Sequence, residues 1–202
     1  MELKITCIVQ ARTNSSRLPG KLLLRLGRKT VFQYLIERLK LSKKIDSLVI
    51  ATTKNKLDNE ICKISKSNKI TVFRGSERNV LNRFYHCAKK DESSVIIRVT
   101  ADCPLIDIKY VETLIEVFKK NNYDYLNNTD INYLPDGFHC EIFSFDALEK
   151  SYKQAKSKFD KQHVTSYIWK NPDKFKIKVY RGKKIKNFTK KLRLTLDYYQ
   201  DF

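Results

Sequence analysis

Strand-length apolar runs alternate with helix-period segments through the first two-thirds of the chain. LKITCIV (3–9), SLVIAT (47–52), ITVF (70–73) and SVIIRVT (94–100) read as strands. Between them lie segments with apolar residues three and four apart: Phe32, Leu35, Ile36 and Leu39; Leu57, Ile61 and Ile64; Val80, Leu81, Phe84 and Ala88. Val111, Leu114, Ile115 and Phe118 follow the fourth run. Near-continuous apolar strands must be covered on both faces, and the connecting helices can do this only around a mostly parallel sheet. An α/β architecture is therefore expected. Two helix starts are legible: Thr30 with Gln33 as a capping box, and Ser76 as a cap after Gly75.

After Tyr123 the rhythm changes. DYLNN, NYLPDG and HCEIFSF read as irregular strands, forming a small β arm at about 127–145 that leaves the main sheet. Two helices (146–155 and 161–169) and two returning strands, FKIKVY and LRLTLD, are expected after it. No repeat or flexible linker interrupts the 202 residues, which read as a single domain over 1–202. No 18-residue apolar stretch and no secretory leader pattern occur. The five scattered cysteines suit neither a zinc site nor a disulfide framework, so reduced thiols in a cytoplasmic protein are expected.

The net charge of +19 raises nucleic acid as a partner. Lysine dominates the basic residues, however, and is spread over every predicted exposed face, as a general coating would be. Nucleic-acid binding is not expected as the main function. KKIKNFTKK (183–191) is the densest basic run.

Ligands of doubly wound sheets bind outside the carboxyl ends of the strands, and three conspicuous stretches fall there. ARTNSSRLPGK follows the first strand, RGSERNVLNR the third and TADCPLID the fourth. The first lacks the glycine spacing of a dinucleotide site or P-loop. It still offers turn amides, the Ser15 and Ser16 hydroxyls, and the charges of Arg12, Arg17 and Lys21 to a polyphosphate. Asp102, at the end of the fourth strand, is placed to hold Mg²⁺ against such a group.

These stretches, together with LPDGFHCEIF, the QHVT of 162–165 and RLTLDYYQDF, resemble the cytidylyltransferases that activate sugar acids. The likeness runs in order through nearly the whole chain and is strongest to the spore coat polysaccharide biosynthesis branch. It implies a Rossmann-like nucleotidyltransferase fold, Mg²⁺ as cofactor, CTP as donor, a sugar acid as acceptor and pyrophosphate as product, for surface polysaccharide synthesis. It implies that Ala11, Arg12, Ser15, Ser16 and Lys21 meet the nucleotide, with Gly75 to Arg78 by the base. Asp102 and Asp197 become metal ligands, Arg12, Lys21 and Asp102 the catalytic set, and His139, Glu141 and His163 the acceptor side. A homodimer through residues 135–145 is implied as well, and Leu134, Phe138, Ile142, Phe143 and Phe145 are apolar residues that a partner would cover. Two motifs depart from the family: D-x-P-E-D reads Asp197-Tyr-Tyr-Gln-Asp, and Gln162 replaces a glutamate. The terminal helix usual after this point has no counterpart beyond Phe202, so a shortened C-terminus is expected. The competing readings are a nucleotidyltransferase or glycosyltransferase using another nucleotide or sugar, and a non-catalytic nucleotide- or RNA-binding protein.

Overall fold

The computed structural model describes residues 3–130, 133–182 and 192–202; the basic run 183–191 lies outside them. β1 (Ile5–Gln10) leads through a basic loop and a two-stranded hairpin, β2 (Arg25–Leu26) and β3 (Lys29–Thr30), into α1 (Val31–Leu39). β4 (Ser47–Thr53), α2 (Asn59–Ser67), β5 (Thr71–Gly75), α3 (Val80–Lys90), β6 (Val95–Thr100) and α4 (Ile108–Lys120) follow. The seven-stranded sheet has the order β5-β4-β1-β6-β8-β7-β9, in which β7 is Tyr125–Asn127, β8 Glu141–Ser144 and β9 Ile177–Val179. β1 pairs in parallel with both β4 and β6. The chain therefore runs outward from β1 to β5, then crosses back to β6 on the other side. That reversal opens a crevice at the carboxyl ends of β1 and β6.

Both faces of the strands are buried, as their apolar runs require. Cys7 and Val9 of β1 and Ile97 and Val99 of β6 pack with Phe32, Ile36, Leu114 and Ile115 on one face. Ile8 and Ile96 join Phe84, Phe143, Leu148 and Ile168 on the other. All five cysteines are free and buried. Among the described residues no helix is long and apolar enough to cross a membrane.

The predicted capping box at Thr30 and Gln33 is present. The cap of α3 is displaced: Asn79 accepts from the Asn82 amide, while Ser76 accepts from Asn79 one turn earlier. The stretch expected to leave the sheet as an arm behaves differently. β8 lies inside the main sheet, antiparallel to both β6 and β7. Leu134, Ile142 and Phe143 are each no more than 1% exposed within the chain itself, whereas Phe138 and Phe145 are half-buried. The helices after it are α5 (Phe145–Gln154), α6 (Lys158–Gln162) and α7 (Ser166–Trp169). FKIKVY contributes β9, but LRLTLD forms only a bridge between Arg193 and Asp136.

Candidate active site

The loop after β1 turns tightly because its amides are satisfied locally. Ser15 and Gly20 both donate to the Thr13 carbonyl, and Gly20 takes the left-handed conformation (φ 72) that closes the turn. Its base is tied to the β4–α2 connection by Asp58, which is 1% exposed. The Asp58 carboxylate accepts from the Thr13 amide at 2.7 Å and from the amide and hydroxyl of Thr53. Burial raises the Asp58 carboxyl, but these bonds outweigh it and hold it below its ordinary value. Asp58 went unrecognised in the sequence because LDNE gives no sign of a contact 45 residues away.

Lys21 departs from its expected place. It is not an exposed loop cation; it is 7% exposed, at the start of a short 3₁₀ turn (Lys21–Leu23). Its ammonium donates to Asp102 at 2.7 Å, to the Leu196 carbonyl at 2.7 Å and to Asp197 at 3.0 Å. Burial raises the Asp102 carboxyl, while the Lys21 charge and hydrogen bond, helped by Thr100, more than reverse it and leave the carboxyl below its ordinary value. Asp197 does not end a strand. It arrives on irregular chain whose backbone is fixed by Leu196 donating to the Asp102 carbonyl at 2.8 Å and Leu194 donating to the Asp136 carbonyl at 2.7 Å. Gly137 makes that approach possible: at φ 103, a Cβ there would lie 2.5 Å from the Leu194 carbonyl carbon. Arg17 and Arg193 also donate to Asp197, so three basic groups occupy its two oxygens.

Three adjoining clefts open on this crevice. The smallest is walled by Arg12, Ser15, Ser16, Arg17, Lys21 and Asp102, so the loop and the strand-end carboxylate do converge. The second, about 250 Å³, runs from Arg17, Asp102 and Asp197 to His139 and Glu141. The third, about 910 Å³, extends from Arg12 past Arg78 and Arg83 to Lys161 and His163. Arg98 lines both of the larger clefts.

A family profile described as cytidylyltransferase matches residues 6–202 of this chain. The chain belongs to the cytidylyltransferase family. It is 44% identical to an uncharacterized protein of Methanocaldococcus jannaschii, an alignment covering 99% of this chain and 81% of that one. It is 33% identical to the spore coat polysaccharide biosynthesis protein SpsF of Bacillus subtilis, over 98% of this chain and 83% of the relative. A solved cytidylyltransferase from Leptospira borgpetersenii superposes with a TM-score of 0.93 at 34% identity, covering 99% of this chain and 84% of that structure.

In this cytidylyltransferase the expected residues divide among the clefts. Ala11 is buried at the end of β1, donating to the Ala51 carbonyl, and does not line a cleft. Gly75 lies at the end of β5, close to the Arg83 side chain, while Glu77 and Arg78 line the third cleft. His139 and Glu141 share a cleft with Asp102; His163 stands apart from them, exposed on the larger cleft with its ring against Phe159. Burial draws the His139 imidazole below its ordinary pKa despite Asp136 at 3.5 Å.

Glu141 is less available to a ligand than its place suggests. It is directly opposite Arg98 in the β6–β8 register and ion-paired with it. Tyr125 and Thr165 also donate to Glu141. Burial raises the Glu141 carboxyl, and the Arg98 charge with these bonds brings it below its ordinary value. Burial and the Glu141 charge push the Tyr125 phenol well up, so Tyr125 is the proton donor of the pair. Arg98 was legible as the lone charged residue of the strand SVIIRVT.

Proposed function

We propose that the protein transfers a cytidylyl group from CTP to the hydroxyl of a sugar acid, releasing pyrophosphate, as a step toward a surface polysaccharide. The observation that carries this reading is the convergence of Arg12, Ser15, Ser16, Arg17 and Lys21 with Asp102 at the sheet's reversal point. The acceptor oxygen attacks the α-phosphorus in line and gives up its proton to solvent, the bond to the bridging oxygen breaks, and pyrophosphate carries away the electron pair. Arg12 and Arg17 stabilise the leaving charge, and Lys21 can turn from its carboxylate partners toward it. The second cleft suits the acceptor: it adjoins Asp102, its volume matches a small sugar, and Arg17 and Arg98 favour an acid. The spore coat polysaccharide biosynthesis name of the Bacillus subtilis relative supports the pathway class.

The donor set agrees with Mg²⁺ at Asp102. Hard carboxylate oxygens together with nucleotide phosphates are what this ion takes, and Lys21 holds Asp102 by Oδ2, leaving Oδ1 with the 3.8 Å Cys103 thiol contact on its side. Asp197 is the poorer ligand while Arg17, Lys21 and Arg193 hold it. Bound there, Mg²⁺ would neutralise phosphate charge. Among the described residues no cluster of three or more His, Cys, Asp or Glu forms a cage, so Asp102 would hold the ion together with oxygens of the nucleotide and water.

Calorimetric titration with CTP, UTP, ATP and GTP in the presence of Mg²⁺ tests the nucleotide. One site is expected, with CTP preferred at least tenfold. Equal affinity for all four, or no binding, removes the CTP reading.

A further inference from the structure

Arg83 sits in the first turn of α3 and is 1% exposed, yet no carboxylate among the described residues pairs with it. Its Nη1 donates to the Ser76 carbonyl at 2.5 Å. Nε and Nη2, which form the other edge of the guanidinium, are buried and have no acceptor among the described residues. The carboxylate of Asp58 acts on it only through space, because its oxygens are committed to Thr13 and Thr53. Arg12 adds like charge, and burial together with Arg12 brings the Arg83 guanidinium down to about 10.

Such an arrangement is costly in a folded protein. Buried guanidinium groups are normally paired, and an unpaired one loses hydration without replacement. The free Nε–Nη2 edge is also the geometry that binds two oxygens of one anion in parallel. Arg83 is among the residues that line the largest of the three clefts, whose lining also carries Arg12, Lys158, Lys161 and the Glu141-paired Arg98, with Glu77 as its acid. Gly75 secures the position: a Cβ there would come within 2.9 Å of the Arg83 Cγ.

We propose that Arg83 anchors an oxyanion site in the wall of this cleft, gripping paired oxygens of a substrate phosphate or carboxylate with its free edge beside Arg12. The site deepens the nucleotide reading if the anion is the nucleotide's phosphate, and stands without it if the anion is a carboxylate.

The test compares wild type with Arg83→Met and Arg83→Lys. Without ligand, Arg83→Met is expected to melt at or above the wild-type temperature, because an apolar isostere removes an unpaired buried charge. A residue with only a structural role would melt lower. Titrations then use sodium pyrophosphate, CTP, cytidine and gluconate. Affinity for the oxyanion-bearing probe should fall on the order of tenfold to a hundredfold in Arg83→Met. Arg83→Lys should not restore it, and cytidine binding should not change. Loss of pyrophosphate and CTP identifies a phosphate; loss of gluconate alone identifies a carboxylate. CTP failing to bind while pyrophosphate binds through Arg83 would end the nucleotide reading and keep this one. If Arg83→Met fails to fold, Arg83→Lys carries the titrations. Retention of all wild-type affinities within twofold in a folded variant, or no anion binding by wild type, overturns the proposal.

Discussion

Asp102→Asn is expected to lower pyrophosphate release at least a hundredfold, about 2.7 kcal/mol in barrier, while leaving the fold in place. The amide keeps the size and backbone of the carboxylate, so the Leu196 amide still bonds the residue 102 carbonyl. Lys21 retains Asp197 and the Leu196 carbonyl as partners. What disappears is the negative charge of a strand-end carboxylate that lines the cleft. Nucleotide affinity should fall less than turnover, because Arg12, Arg17 and the loop serines remain. Release within threefold of wild type, roughly 0.65 kcal/mol, would make Asp102 a structural partner of Lys21 and nothing more.

Lys21→Ala should do two things at once. Turnover should drop through loss of a charge close to the phosphates. Stability should drop as well, by about 2 kcal/mol, since removing one member of a buried ion pair leaves the other uncompensated. The figure is kept below that of a fully buried pair because the Asp102 side chain is 23% exposed and Asp197 keeps Arg17 and Arg193. Urea denaturation measures it, and adding Asp102→Asn should return part of the loss. The acid side carries the same signature. Asp102 is held below its ordinary value, so its contribution is present above about pH 4 and disappears as pH falls through the lowered pKa. Lys21→Ala should flatten that acid dependence. An unchanged urea midpoint would show that Lys21 is the free loop cation its sequence context suggests.

That sequence context explains which parts of the molecule could be read in advance. β1, β4 and β6 were legible because each is an apolar run with most of its residues buried, a pattern that depends little on distant contacts, and β5 is a shorter, half-buried edge strand. β8 was harder: four residues after a long connection resemble an excursion, and it is pairing with both β6 and β7, with Ile142 and Phe143 buried, that fixes them inside the sheet. The basic loop after β1 could be picked out from its residue types, whereas the burial of Lys21 could not. It depends on a segment 175 residues later, brought in through the space that Gly137 leaves for Leu194. Arg83 was hidden for a similar reason. Its sequence position is an ordinary helical one, and its isolation comes from Asp58 being engaged elsewhere.

The central claim is that this cleft splits CTP between its α- and β-phosphates only when a sugar acid is present. A pyrophosphate-release assay with each of the four nucleoside triphosphates and Mg²⁺, against a panel of sugar acids and neutral sugar phosphates, measures it directly. The account predicts release from CTP with at least one sugar acid, none without acceptor, and loss of that release in Asp102→Asn. Release of nucleoside diphosphate instead, release with neutral sugar phosphates alone, or a preference for another nucleotide would contradict it.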